Sequence, residues 1–547
     1  MNGLRRGGWL LSGAAVVLFG LAFFLPPGEE RHVFVIAAWA VLGTAFGLVL
    51  NATPTGDPAW LSQRGRWPGV IIVGALVVGS LIATCGMQQF GGFDHSALID
   101  LAWRLANGQH PYRDFPCPAP IGFVLGAGYS FQLFGTQWRA LVWIDAIFAM
   151  FTFAWSCLLL ARLLGERRRA WLLAFSAQAT TTVLAAYWWY NPVTTMGGLL
   201  FFLAAAVWLR FPQDRFAQVS YAVALCFLAG LKPNVAGLLI VGTTLVLLTS
   251  REHRWRTLIW SAAAAAVFIG WLALHGLHVP DMLANYLGIA SRGFTLRQFL
   301  QDMSWTERWL SMAAAGALFA AFVAALRPVP GDHSRMRALA VVAGLAGYYG
   351  FVTNGESKLV DLTMVLFGAV VFAQNRPKVI AYLGALTLIF AGTGLGVAVT
   401  RHRVRAIGPG VFFEYRTAPI DPPTAFFKGL ESGPRLVIVA SDVAKVMDHA
   451  PEQARVWFGP RMQWGYAAFH RPPPVGQPSW WHPGVAFPAA DEAKYRADWF
   501  AQRFDMLIFL RGDATYLAPD FLAAINEHYT YVPSPPSLTL LRRKPQP

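Results

Sequence analysis

The stretch Gln88–Pro120, QQFGGFDHSALIDLAWRLANGQHPYRDFPCPAP, decides how the rest of the chain is read. It lies between two strongly apolar runs, Val70–Thr84 and Ile121–Phe134, yet carries Asp94, His95, Asp100, Arg104, His110, Arg113 and Asp114. Charged groups are costly in hydrocarbon, so a polar segment between such runs belongs in water or at the bilayer surface. Within Ser96–Asn107, Ala97, Leu98, Leu101, Ala102 and Leu105 recur at helical spacing. That pattern predicts a short amphipathic helix lying on the membrane, stopped by Gly108; an ordinary solvated loop is the alternative.

Working outward, the chain has 547 residues, of which 55% are hydrophobic and only 13% charged, with a mean hydropathy of +0.44. Soluble proteins carry about 25% charged residues, so most of this chain is expected in lipid. Apolar runs occur near 8–26, 32–50, 69–87, 139–163, 170–189, 193–209, 216–231, 235–249, 256–275, 308–326, 337–352, 359–374 and 378–399. Taken at ~20 residues per crossing, they predict about thirteen transmembrane helices. The first, Gly8–Leu25, follows Arg5 and Arg6 as a signal peptide would, but it lacks a small-residue cleavage site and reads as a retained helix. Ile121–Phe134 would reach only about 21 Å at 1.5 Å per residue, short of a ~30 Å hydrocarbon core.

The net charge of +15 reads as membrane topology, not as a nucleic-acid surface, because the basic residues fall mostly in short loops. If Ile121–Phe134 does not cross and the N-terminus is cytoplasmic, 18 of the 27 Lys and Arg residues before residue 400 face inward, among them Arg167, Arg168 and Arg169. If it crossed, that cluster and every later basic loop would face outward, against the positive-inside bias. The outward loop 86–137, the loop 276–307 and the C-terminal region are therefore expected on the same, outer side.

Composition changes near residue 400, predicting a membrane domain over 1–399 and a small α/β domain over 400–547. GPRLVIVAS (433–441), FDMLIFLRG (504–512) and LTLLRR (538–543) have strand length, and Asp520–His528 reads as a helix. Between them lies an aromatic, proline-rich loop at 457–484, suited either to stacking on sugar faces or to resting on the bilayer interface. Of the four cysteines, Cys157 and Cys226 sit in apolar runs as packing residues. Cys85 and Cys117 bracket the outward loop, where an oxidising compartment would permit a disulfide. Asp145 falls inside a span and is expected to pair with Arg139 or a neighbouring helix, in a structural role.

Two carboxylates stand out as chemistry. Asp94 sits near the exit of a span, where apolar shielding raises a carboxyl pKa towards the range of a general base. Asp114 precedes a proline-rich turn that would fold the chain back towards it. Glycosyl transfer needs such a pair, one to take the acceptor's proton and one to position the acceptor or a cation.

FDHSALIDLAWRLANGQHPYRDFPCPAP, followed by a short apolar helix and FGTQWRALVWIDA, resembles the first outer loop of the GT-C superfamily of integral-membrane glycosyltransferases. The resemblance covers about residues 86–165, and the plan of many spans with an outward C-terminal domain extends it. It implies a GT-C-like polytopic α-helical membrane protein with surface helices in the first outer loop and a small C-terminal α/β periplasmic domain. The implied setting is a bacterial inner membrane with a periplasmic active site.

The implied reaction moves a monosaccharide from a polyprenyl-phosphate donor to an acceptor hydroxyl with inversion, as arabinofuranosyl, aminoarabinose and mannosyl transferases do. Asp94 would be the base and Asp114 the second acidic residue. His95, Tyr112 and Trp464 are acceptor-binding candidates, and Lys232, Arg292 and Lys358 would hold the donor phosphate. The acceptor could be a glycan, a lipid or a protein such as a pilin. The residues fix no cofactor; a divalent cation is compatible, although Asp94–His95 stands where several relatives have two adjacent acids. The rival reading is a lipid-linked sugar flippase, which would show repeated halves and ionisable groups at mid-depth.

Overall fold

A computed structural model describes residues 66–289, 333–353 and 424–545, apart from short internal stretches, with a few further residues at 61 and between 363 and 371. The expected spans near 8–26, 32–50, 308–326, 359–374 and 378–399 lie wholly or mostly outside the described residues. The described elements are α1 (Arg66–Gly86), α2 (Asp94–Ala106), α3 (Ile121–Phe134), α4 (Trp138–Leu164), α5 (Arg167–Thr182), α6 (Tyr190–Arg210), α7 (Arg215–Ala229), α8 (Pro233–Leu248), α9 (Arg254–Leu274), α10 (Val279–Ile289) and α11 (His333–Thr353). Towards the C-terminus follow α12 (Pro434–Asp448), β1 (Val456–Phe458), α13 (Trp464–Ala468), α14 (Glu492–Ala501), β2 (Met506–Leu510), α15 (Pro519–His528), β3 (Tyr529–Val532) and β4 (Leu538–Arg543). Among them α1, α4, α6 and α9 are long and apolar enough to cross a membrane, and α3, α7 and α8 are shorter apolar helices. The chain is a multi-pass membrane protein, and its described residues are mainly helical with one small sheet.

Two compact units divide the chain. One gathers residues 1–82, 145–268 and 294–401, and the other gathers 83–144, 269–293 and 402–547. In the first, α6 is the buried axis, enclosed from Asn191 to Leu209. Its glycines let neighbours approach closely: a Cβ on Gly197 would stand 3.1 Å from Phe227, and one on Gly198 3.0 Å from Leu239. Small residues at such crossings serve where lipid removes the hydrophobic drive for helix association. Polar ties are internal: Gln178 donates to Thr152 Oγ1 and Ala149 O, both at 2.7 Å. Trp155 Nε1 donates to Ser220 Oγ at 2.8 Å.

The second unit combines the first loop, α3, the start of α4, the end of α9, α10 and the C-terminal sheet. The strand order is β1-β2-β4-β3, with β1 parallel to β2 and the other two pairings antiparallel. All five residues of β2 are buried, as a central strand covered on both faces requires. Trp457, Trp481, Trp499, Phe521 and Tyr529 form the sheet's core with Leu507 and Leu541.

Residues 433–441 depart from the expected strand: Gly433 is the N-cap of helix α12 and the others lie within it. Pro434 occupies its first turn, where a missing N–H costs nothing. Leu436, Val439, Ala440, Val443 and Met447 are the buried apolar face at 3.6 spacing. A five-residue apolar run fits either element, and here the period across the longer segment decides. The first strand instead comes from VWF at 456–458, at the head of the segment expected to be loop.

Candidate active site in the first loop

The second unit places most of the residues singled out in the loop. Asp94 is the first residue of α2, only eight positions past the end of α1. A carboxylate in a helix's first turn is favoured by the unpaired N–H groups there. Asp94 is half-buried in a helix whose other acidic residue, Asp100, is fully enclosed. His95 is buried, and its Nδ1 accepts from the Gly91 N–H at 2.8 Å, so the proton of the neutral ring sits on Nε2. Its ring lies 5.4 Å from that of Trp138.

The expected amphipathic helix is present, but its polar face does not lie in water. Leu98 and Leu101 are buried, and α2 packs so closely on α3 that a Cβ on Gly128 would collide with Leu105. The opposite face is covered by the segment 464–477. Ser96 Oγ accepts from Trp464 N at 3.0 Å, and Trp103 Nε1 donates to Arg471 O at 2.8 Å. Arg104 donates to Asp100 Oδ2 at 2.7 Å, Pro474 O at 2.7 Å and Gln477 O at 3.1 Å. Burial of Asp100 outweighs the opposing pull of Arg104 and pushes its pKa up to about 6.

The turn after α2 is held from two sides. Gln109 Nε2 donates to Pro473 O at 3.0 Å, and Gly476 N donates to Asp114 O at 2.9 Å. On the other side α10 meets the turn through Asn285, which accepts from Cys117 N at 3.3 Å and donates to Cys117 O at 2.7 Å. Tyr112 has φ of 68°, a left-handed conformation unusual for a bulky residue. Its hydroxyl donates to Ala119 O at 2.9 Å and sits 3.0 Å from the Tyr286 hydroxyl, which secures the strained turn. Burial and the neighbouring Tyr286 raise the Tyr112 pKa well above that of an ordinary phenol.

Asp114 accepts from Arg113 Nε at 2.8 Å and Nη2 at 3.0 Å, and from the His110 N–H at 2.7 Å. The Arg113 guanidinium, helped by that N–H, holds its pKa below the usual carboxylate value despite a small opposing effect of burial. This carboxylate closes the turn as an anion and is poorly set to take a proton.

Trp464 is fully buried, its ring 5.2 Å from that of Phe427 and 6.4 Å from that of Phe469. With Trp457, Tyr466 and Trp481 also enclosed, the aromatic loop contributes mainly to the protein interior and offers few of its rings to sugar or lipid. Cys85 and Cys117 are not joined in a disulfide, so none brackets the loop. Burial pushes the Cys117 thiol up to about 12. Arg139 lies over the Trp143 ring at 5.0 Å, and among the described residues no ion pair joins it to Asp145.

Of the expected phosphate ligands, Arg292 and Lys358 lie outside the described residues. Lys232, in the first unit, is the N-cap of α8, with its Nζ 5.8 Å from the centre of the Tyr190 ring. Among the described residues no group of three or more His, Cys, Asp or Glu side chains could hold a metal ion. Arg104, Gln109, Asn285 and Tyr286 were not anticipated; the i, i+4 spacing of Asp100 and Arg104 was the one available sign.

No protein-family model and no curated protein matches the chain. In fold it is similar to ArnT. A crystal structure of ArnT from Cupriavidus metallidurans bound to undecaprenyl phosphate aligns with a TM-score of 0.45 at 13% identity, over 88% of this chain and 100% of that one. The apo structure of the same protein gives 0.44 at 13% identity, over 88% and 99%. The cryo-EM structure of the arabinosyltransferase EmbB from Mycobacterium smegmatis gives 0.32 at 13% identity, over 68% of this chain and 34% of that one.

Proposed function

We propose that the chain is a GT-C-like glycosyltransferase that moves a monosaccharide from a polyprenyl phosphate to an acceptor hydroxyl. Asp94 is its general base, at the outer face of a bacterial inner membrane. The observation that carries the reading is the fate of the three carboxylates in the first loop. Asp100 is sealed inside against Arg104, and Asp114 is held as an anion by Arg113 and the His110 N–H. Asp94, partly exposed as Asp114 also is, opens α2 eight residues beyond a membrane-length helix, the place where a lipid-borne donor and a water-borne acceptor would meet.

In this reading the acceptor oxygen gives its proton to the Asp94 carboxylate as it attacks the anomeric carbon. The bond to the phosphate oxygen breaks on the opposite face, so the configuration inverts. The departing phosphate gains negative charge and needs cations, the role given to Lys232, Arg292 and Lys358. His95 follows the base in sequence and Tyr112 lies in the turn after α2; both are candidates for acceptor contact. A pentofuranosyl donor fits the resemblance of the loop. Transfer of radiolabelled sugar from a polyprenyl-phosphate donor by the purified protein, with Asp94→Asn as control, tests the assignment. A sugar that crosses the membrane still attached to its lipid would mark a flippase instead.

A further inference from the structure

We propose that Arg104 is a positioning residue for Asp94, a buried guanidinium that fixes the helix carrying the base against the segment 464–477. The inference rests on Asp94 being the base, and it extends the active site into the C-terminal part of the chain.

Arg104 and Asp100 are 1% and 0% exposed. A buried ion pair is rarely more stabilising than well-packed apolar side chains of the same volume, so stability alone does not account for it. What a guanidinium adds is direction, because its planar donors fix the angles at which partners approach. Here Nε is aligned on Asp100, one Nη is shared by the carbonyls of Pro474 and Gln477 and by Gln109 Oε1, and the plane lies 5.0 Å from the Phe115 ring.

The clamp controls the whole helix. Ser96, Asp100 and Arg104 are spaced by four and share one face of α2. Ser96 is bonded to Trp464, and Arg104 to Pro474 and Gln477, so successive turns are tied to one segment about 370 residues away in sequence. Gln109 on Pro473 and Gly476 on the Asp114 carbonyl carry the clamp into the following turn. With α3 packed on the other face, any rotation or sliding of α2 would break these bonds. Asp94 opens that same helix, two residues before Ser96, and its place is set by the clamp. Arg104 itself, being enclosed, touches no substrate.

The test uses the full chain in lipid nanodiscs, with a radiolabelled arabinosyl polyprenyl phosphate as donor and an envelope lipid extract as acceptor. The variants are Arg104→Lys, the double Asp100→Leu/Arg104→Met, Gln109→Leu and Asp94→Asn. The double variant leaves no lone charge buried, so it keeps the fold where Arg104→Met alone need not. Because small displacements of a reacting group cost rate steeply, kcat falls at least about tenfold in Arg104→Lys and in the double variant. KM for the donor stays within about twofold, and Gln109→Leu shows the same kcat-only loss at smaller size. A folded double variant with wild-type kcat, or variants that change KM alone, would overturn the inference. If Asp94→Asn abolishes transfer while the clamp variants remain fully active, only the positioning role falls. If Asp94→Asn transfers sugar normally, the base assignment fails and the positioning role falls with it.

Discussion

Changing pH from 4 to 7 ought to loosen α2, and the reason is Asp100. Its carboxyl is fully buried and its folded-state pKa is about 6, raised from 3.8 because desolvation outweighs Arg104. A carboxyl with a raised folded pKa binds its proton more tightly when folded. The resulting stabilisation is complete below the unfolded value and is lost as pH rises through the folded one. A shift of about two units at about 1.4 kcal/mol each, part of it already gone by pH 4 because the unfolded value is 3.8, leaves a loss of about 2 kcal/mol between pH 4 and pH 7. Asp114 titrates in the opposite sense, but its folded pKa lies below 3.8, so it contributes little inside this window. Hydrogen exchange of the α2 amides, corrected for the intrinsic pH dependence of exchange, measures the local opening free energy directly. It is expected to fall across the window in the wild type and to stay nearly flat in Asp100→Asn. An opening free energy that rises with pH, or a slope that survives in Asp100→Asn, would refute the reasoning.

Three other outcomes follow from the same unit. Trp464→Ala should destabilise by about 3–5 kcal/mol, seen as a lowered thermal midpoint, because the ring is wholly enclosed; unchanged stability with lost transfer would return Trp464 to acceptor binding. Asn285→Ala strips both backbone partners from Cys117 and should cost about 1–3 kcal/mol, with faster exchange confined to α10 and the turn at 112–119. Intact mass after denaturing alkylation without reductant should show four labelled thiols, and reductant should leave the thermal midpoint unchanged.

The helices of the loop were legible because their signals are local. Leu98, Leu101 and Leu105 repeat at helical spacing, Gly108 stops the helix, and Pro120 precedes the next apolar run, so α2 and α3 fall where the pattern puts them. The fate of α2's polar face was not legible. Asp100 and Arg104 look like solvated charges, and the carbonyls that enclose them lie on Pro474 and Gln477, a contact with no local trace. The aromatic loop misled for a related reason: Trp464 and Trp481 read as a binding surface until the residues that bury them are known. At 433–441 the short run LVIVA satisfied both periods, and only Val443 and Met447 beyond it reveal the helix. Asp94 was singled out from its place after a span and opens α2, whereas Gln109 and Asn285 bond backbone groups of Pro473 and Cys117, partners that leave no sequence signature.

The most direct measurement is single-turnover transfer from a radiolabelled polyprenyl-phosphate sugar by wild-type protein and by Asp94→Asn, both shown to be folded. Loss of a general base typically costs about 10²–10⁴ in rate, so the account predicts a drop of that size with donor binding retained. Transfer by Asp94→Asn at the wild-type rate would contradict it.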